Sequence, residues 1–220
     1  MKNLKLIVYL TFSQKTITDF TETNIENLYN TGFVFTRQGK GEMDQTRSVR
    51  VNLAKFKLSS ENRRILRKNE NLKFEIIALP HPNYEWTIHK LGHDFYSKKF
   101  GNKTFSANKI KELLTDKNKS NFNLLLSFSK PKPIGFAICF QTKNILHYSY
   151  PFYDLESEMP NIGIAMMTEA IIWAQENNKK YAYLGSAKDA KALYKFQFSG
   201  TEWFDGDKWK TNTDELKQVI

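Results

Sequence analysis

A chain of 220 residues carries 33 lysines and arginines against 23 carboxylates, a formal charge of +10, and 40% of its residues are aliphatic or aromatic. That is enough apolar material for one large domain or two small ones, while no run of 18 apolar residues is present, so no membrane span and no membrane partner are expected. The single cysteine, Cys139, excludes an internal disulfide and a CxxC metal site, and the whole points to a cytoplasmic protein. The opening MKNLKLIVYLTFSQ has an apolar part too short for a secretory signal and no small-x-small cleavage pattern, so a strand over 4–12 is expected.

Further along, 18–30 collects Thr, Asp and Glu at its start and sets Phe20, Ile25 and Leu28 on one face, which predicts a helix. A strand is expected over 32–35. The polar stretch 38–46 holds two glycines and reads as a loop. At 49–56 Val, Val and Leu alternate with Arg, Asn and Lys, the pattern of a half-buried strand. Ser59 then caps a short helix in which Arg63, Arg64, Arg67 and Lys68 recur at three- and four-residue spacing, so that much of one surface is cationic. Between Arg47 and Lys73 nine cations face only Glu61 and Glu70. Such clustering is the electrostatic footprint of a polyanionic partner, with a solvated basic face as the plainer reading.

The middle of the chain reads as a strand over 73–79, a helix over 84–96 and another over 106–114. A hairpin follows with strands over 122–128 and 134–140, and then a strand from 145. The best domain boundary lies near 70–73. His89 and His93 stand four apart on the expected helix, but no Glu follows the first of them and no third ligand is evident, so no metal is expected.

The most informative stretch is 147–209. An aromatic strand over 147–153 runs into the acidic turn Asp154-Leu155-Glu156-Ser157-Glu158; Pro160 and Gly163 open a long helix; and Lys180-Tyr181-Ala182-Tyr183-Leu184-Gly185 reads as a short buried strand. A second helix is expected to end near Tyr194-Lys195-Phe196-Gln197-Phe198. Strand, helix, strand, helix is an α/β unit whose helix N-terminus faces a cleft, where free N–H groups attract an anion or a developing oxyanion.

This segment resembles the C-terminal part of arginyl-tRNA–protein transferases and of their bacterial relatives that transfer leucine. The residues that carry the resemblance are Tyr153-Asp154, Gly163, Tyr181 to Gly185, Tyr194-Lys195, and Trp203 or Trp209. It extends to the first half through Arg50, Val51, Phe56, Arg63, Arg64, Leu66, Arg67 and Asn69, in the family's order. The resemblance implies an α+β fold: a small N-terminal α/β subdomain, 1–70, packed on an acyl-CoA N-acyltransferase-like (GNAT) mixed sheet flanked by helices, 71–220. It also implies transfer of an amino acid of the arginine or leucine class from charged tRNA to the N-terminal α-amine of an acceptor protein, marking it for degradation by the N-end rule. Aminoacyl-tRNA would be the co-substrate, with no other cofactor; the oligomeric state stays open. Two departures stand out. The loop 38–45 has none of the cysteines that relatives commonly carry there, and Ser186 stands where an aromatic residue is usual, so the identity of the transferred amino acid stays open.

Such chemistry asks little of an acid or base, because the ester is already activated and an α-amine is partly neutral at pH 7. Positioning and oxyanion stabilisation supply most of the rate. The expected catalytic residues are Tyr183, Asp154, Glu169 and Tyr194, although acids near a helix start also serve its dipole. Gly163, Ile164, Gly185, Ser186, Lys195 and Arg50 are expected to bind substrate, Arg50 by pairing with an acidic acceptor residue. Arg50, Arg63, Arg64, Arg67 and Lys68 are expected to bind tRNA. An acyl-CoA-dependent N-acetyltransferase and a non-catalytic tRNA- or protein-binding relative are the alternatives.

Overall fold

The computed structural model describes residues 10–220. The strand expected over 4–12 lies mostly outside that range. Six α-helices and eleven strands are described: β1 (Thr11–Thr16), α1 (Glu22–Asn30), β2 (Phe33–Phe35), β3 (Glu42–Thr46), β4 (Ser48–Asn52), α2 (Ser60–Lys68), β5 (Lys73–Ala78), α3 (Trp86–Phe100), α4 (Ala107–Thr115), β6 (Leu124–Lys130), β7 (Lys132–Gln141), β8 (Ile145–Tyr153), α5 (Ile162–Glu176), β9 (Tyr181–Ser186), β10 (Thr201–Phe204), β11 (Trp209–Lys210) and α6 (Thr213–Lys217). A 3-10 helix, Ala190–Gln197, occupies the place of the second expected helix of the C-terminal unit.

The strands form two sheets. One has three strands in the order β1-β3-β2, and the other has eight in the order β11-β10-β4-β9-β8-β7-β6-β5. All neighbours in the large sheet are antiparallel except β8 and β9. Alternation along β6 and β7 sends Leu125, Phe136, Ile138 and Phe140 to one face, with α1, α3 and α4. It sends Leu124, Leu126, Ala137 and Cys139 to the other, against Met166, Ala170 and Ile171 of α5. Burial on both faces explains why these strands read as near-continuous apolar runs. The α+β class, with one large mixed sheet flanked by helices, is the expected one.

Two expectations need revision. The stretch 38–46 is not loop throughout. Its second half is β3, the central strand of the small sheet, with β1 and β2 satisfying its backbone on both sides and Met43 and Thr46 buried. The division at 70/71 also cuts across the large sheet, because β4 is paired with both β9 and β10. Only Arg47 separates β3 from β4. That tight passage closes around Gly32, whose carbonyl accepts from the Thr46 amide and the Ser48 hydroxyl. Gly32 has φ +82°, and a Cβ there would lie 2.3 Å from the Phe204 ring, so both backbone and space demand glycine.

Candidate active site at the parting of two parallel strands

The parallel ladder between β8 and β9 is short. It pairs Ile145 with Tyr181, Leu146 with Ala182 and His147 with Tyr183, and then stops, although both strands continue. Each strand is deformed just past the last rung. On β8 the register with β7 slips between Ile138 and Cys139, leaving Ser149 as an extra residue. On β9 the register with β4 slips before Ser186, where Gly185 takes φ +79°. Bulges bend strands and raise their twist, so two of them flanking one gap turn the strands apart. The start of α5 lies beside this gap. Ile164 and Ala165 donate to the Asn161 carbonyl, no side-chain cap is present among the described residues, and no acid lies in the first turn. That leaves a dipole end suited to a negative charge.

Around the gap stand three tyrosines. Tyr148, the first residue of β8 past the last rung, is 1% exposed, and its hydroxyl has no hydrogen-bond partner among the described residues. The Tyr153 hydroxyl accepts from Lys99 Nζ at 2.8 Å, and its ring lies 3.0 Å from where a Cβ on Gly163 would stand. Desolvation raises the pKa of Tyr148 and of Tyr194, and neighbouring phenols add to it, Tyr194 and Tyr153 acting on Tyr148 and Tyr153 on Tyr194. Lys195, 8% exposed, reaches across the end of β9: Nζ donates to the Ser186 carbonyl at 2.7 Å and would stand 3.5 Å from a Cβ on Gly185. Burial lowers its pKa to about 8, against the pull of Asp189. Its charge acts on His147, which burial already drives down to about 3 and whose Nδ1 is paired with the Tyr29 hydroxyl at 2.9 Å.

Gly163, Gly185, Ser186, Tyr194 and Lys195 are thus brought to one place. The other expected residues are not. Tyr183 belongs to the last rung but its side chain lies in the opposite core, buried, with its pKa pushed up to about 12 by burial. Asp154 builds its own turn, its carboxylate accepting from the Glu156 amide. Glu169 is about 9 Å along α5 from Gly163, where burial first and Glu176 second raise its pKa. The Ile164 amide already has an acceptor. Sequence reasoning passed over Tyr148 and His147 as sites. Their neighbours in an aromatic strand gave no signal, because the bulge that separates them from ordinary core residues is a property of the ladder.

Arg50 does not lie on the tRNA-facing surface expected of it. It is 6% exposed, with its guanidinium between the rings of Tyr181 and Trp209 at 3.9 and 3.8 Å. Nε pairs with Glu202 at 2.8 Å, and Nη1 donates to Asn30 at 3.3 Å and to the Tyr183 hydroxyl at 3.4 Å. α2 packs on α5, at the other side of the sheet. There a capping box between Ser59 and Asn62 fixes its start, Arg63, Arg67 and Lys68 are exposed, and Arg64 forks onto Glu61 at 2.5 and 2.6 Å. Arg47, by contrast, is half-buried at the end of β9. Its Nε has no partner among the described residues, and Nη1 makes one long bond, 3.4 Å, to the Ala187 carbonyl. His89 is bonded to Tyr84, and His93 sits beside Asp94 and Ser97.

Residues 82–205 match the family described as arginine-tRNA-protein transferase, C terminus. The aspartate/glutamate leucyltransferase of Saccharophagus degradans is 24% identical over 207 residues, which cover 84% of each chain. That of Xanthomonas euvesicatoria pv. vesicatoria is 24% identical over 171 residues, 74% of this chain and 67% of the relative. Among solved structures, the C-terminal domain of a candidate lysylphosphatidylglycerol synthetase from Agrobacterium fabrum superposes with a TM-score of 0.52 at 12% identity, over 90% of this chain and 69% of that one, a likeness of fold alone.

Proposed function

The chain belongs to the arginine-tRNA–protein transferase family and is an aminoacyltransferase, and from that premise we propose that it moves leucine from the 3′ end of a charged tRNA to the α-amine of a protein that begins with Asp or Glu. Arginine as the donated residue is the second reading, favoured by the family match over residues 82–205; leucine and the acidic acceptor are favoured by the names of both leucyltransferase relatives. The proposal extends to a cytoplasmic setting and to the marking of acceptors for degradation.

The observation that carries the reading is the gap past His147 and Tyr183, bounded by the uncapped start of α5, by Gly163 and by Lys195. The amine nitrogen attacks the ester carbonyl there, a C–N bond forms, and the C–O bond to the ribose 3′-oxygen breaks. The proton leaving the nitrogen ends on that oxygen. Lys195, with a pKa of about 8, can carry the proton between them near neutral pH. Gly163 keeps a side chain from displacing Tyr153 at the mouth of the site. Arg50 is already buried and engaged by Glu202, Asn30 and Tyr183, so the cation for an acidic acceptor is Arg47, with an unmatched Nε. The exposed cations of α2 hold the body of the tRNA.

Leucyl-tRNA, arginyl-tRNA and acetyl-CoA offered side by side with peptides beginning Asp, Glu, Asn and Ala test the proposal by mass. The expected result is leucine added to the Asp and Glu peptides, abolished by Gly163→Val with tRNA binding retained. Acetyl addition without aminoacyl addition overturns it.

A further inference from the structure

At the gap Tyr148 carries a hydroxyl whose chemistry is left unfinished among the described residues. Its ring belongs to the core on the α5 side, among Leu146, Met166 and Leu184. Its hydroxyl is buried, yet meets no donor or acceptor among the described residues. Two nearby phenols are engaged: Tyr153 accepts from Lys99, and Tyr96 donates to the Pro151 carbonyl. A buried hydroxyl without a partner costs stability, and a phenylalanine at this position would avoid the cost. The residue stands immediately beyond the last rung, next to the extra residue Ser149, and its phenol lies near those of Tyr194 and Tyr153.

We propose that Tyr148 is a catalytic residue that donates a hydrogen bond to the carbonyl oxygen of the aminoacyl ester as that oxygen gains negative charge. The proposal rests on the reading that an aminoacyl ester is the donor. Burial and the neighbouring Cys139 and tyrosines hold the phenol protonated, so it acts as a donor throughout and gives up no proton. As the amine nitrogen bonds to the carbonyl carbon, the C=O electron pair moves onto oxygen, where the phenol meets it. When the pair returns, the bond to the ribose oxygen breaks and the phenol is unchanged. A donor placed for the oxyanion contributes most in the transition state, so its loss falls on kcat.

The test is Tyr148→Phe, followed through kcat, KM for charged tRNA, the denaturant midpoint, and affinity for an adenosine carrying the amino acid at its 3′ position through an amide. The expected result is a kcat lower by about 100- to 1000-fold, KM within about two-fold, an unfolding midpoint unchanged or raised, and amide affinity weaker by about ten-fold. Unchanged kcat overturns the proposal, and so does a loss of kcat that tracks a lowered midpoint. Should the wild type transfer nothing, the donor reading fails by itself. Weaker amide binding by Tyr148→Phe would then still support the hydroxyl's contact with the carbonyl, and equal binding would end that too.

Discussion

Arg50 and Arg67 belong to the same basic run, and the fold treats them in opposite ways. Arg67 stands in water on α2, beside Arg63 and Lys68, in a shallow depression that it lines with Ser60, Arg63 and Leu66. Arg50 is enclosed by two aromatic faces, a carboxylate, an amide and a phenol. A guanidinium suits both places, because it is weakly hydrated, stacks on rings and presents its donors in a plane. The consequences differ. Charges in water add to the field that a polyanion meets, while a buried, paired charge contributes little to that field and instead fixes the relative positions of β4, β9, β10, β11 and α1. The charge count along a sequence therefore overstates the surface available to tRNA, and it hides a residue on which the sheet depends.

Arg50→Ala is the change expected to hurt most. It leaves Glu202 buried without its partner and removes the slab between Tyr181 and Trp209, at a cost of about 3–5 kcal/mol in denaturant unfolding. Arg50→Lys should recover only part of this, because an ammonium cannot reproduce the fork. A midpoint within experimental error of wild type would dissolve the contrast between the two arginines. Acid exposes the same buried side in another way. His147 has a pKa of about 3 in the fold against 6.5 when unfolded, so the unfolded chain takes up the proton first as pH falls. Its contribution is complete above 6.5 and is lost on the way down to about 3, roughly 2 kcal/mol by pH 5. Stability measured from pH 7 to 4 should show this limb, and His147→Asn should flatten it. On the exposed side, Arg63, Arg64 and Arg67 changed together to alanine should leave stability within about 1 kcal/mol. The same variant should lower the slope of log affinity for tRNA against log salt by up to about 3. An unaltered slope would remove α2 as the tRNA surface.

The same contrast explains what could be read in advance. Ser59, with Asn62 three residues on, announces α2 because capping is local chemistry, and Gly185 marks the end of β9 because few other residues take φ +79°. β3 was hidden because Glu42–Thr46 has little strand character of its own and owes its form to ladders on both sides. The burial of Arg50 depends on Glu202 and Trp209, far away in sequence. Of the site, the glycines and the Tyr194-Lys195 pair were legible as motifs. The orphaned Tyr148 hydroxyl was not, since it exists only where two strands part.

The position of β4 has a consequence for how the chain is made. Val51 pairs with Ala182 on one side and with Thr201 on the other. At about 5–20 residues per second, synthesis takes on the order of ten seconds to deliver either partner. Until then a nascent chain holds a Val-rich strand with two unpaired edges, in the form most prone to pair with the wrong neighbour. The cations in and beside it, Arg50 within the strand and Arg47, Lys55 and Lys57 on either side, oppose such pairing by repulsion between like-charged chains. Arg50 is thus placed to oppose wrong pairing before it joins the fold as a buried clasp.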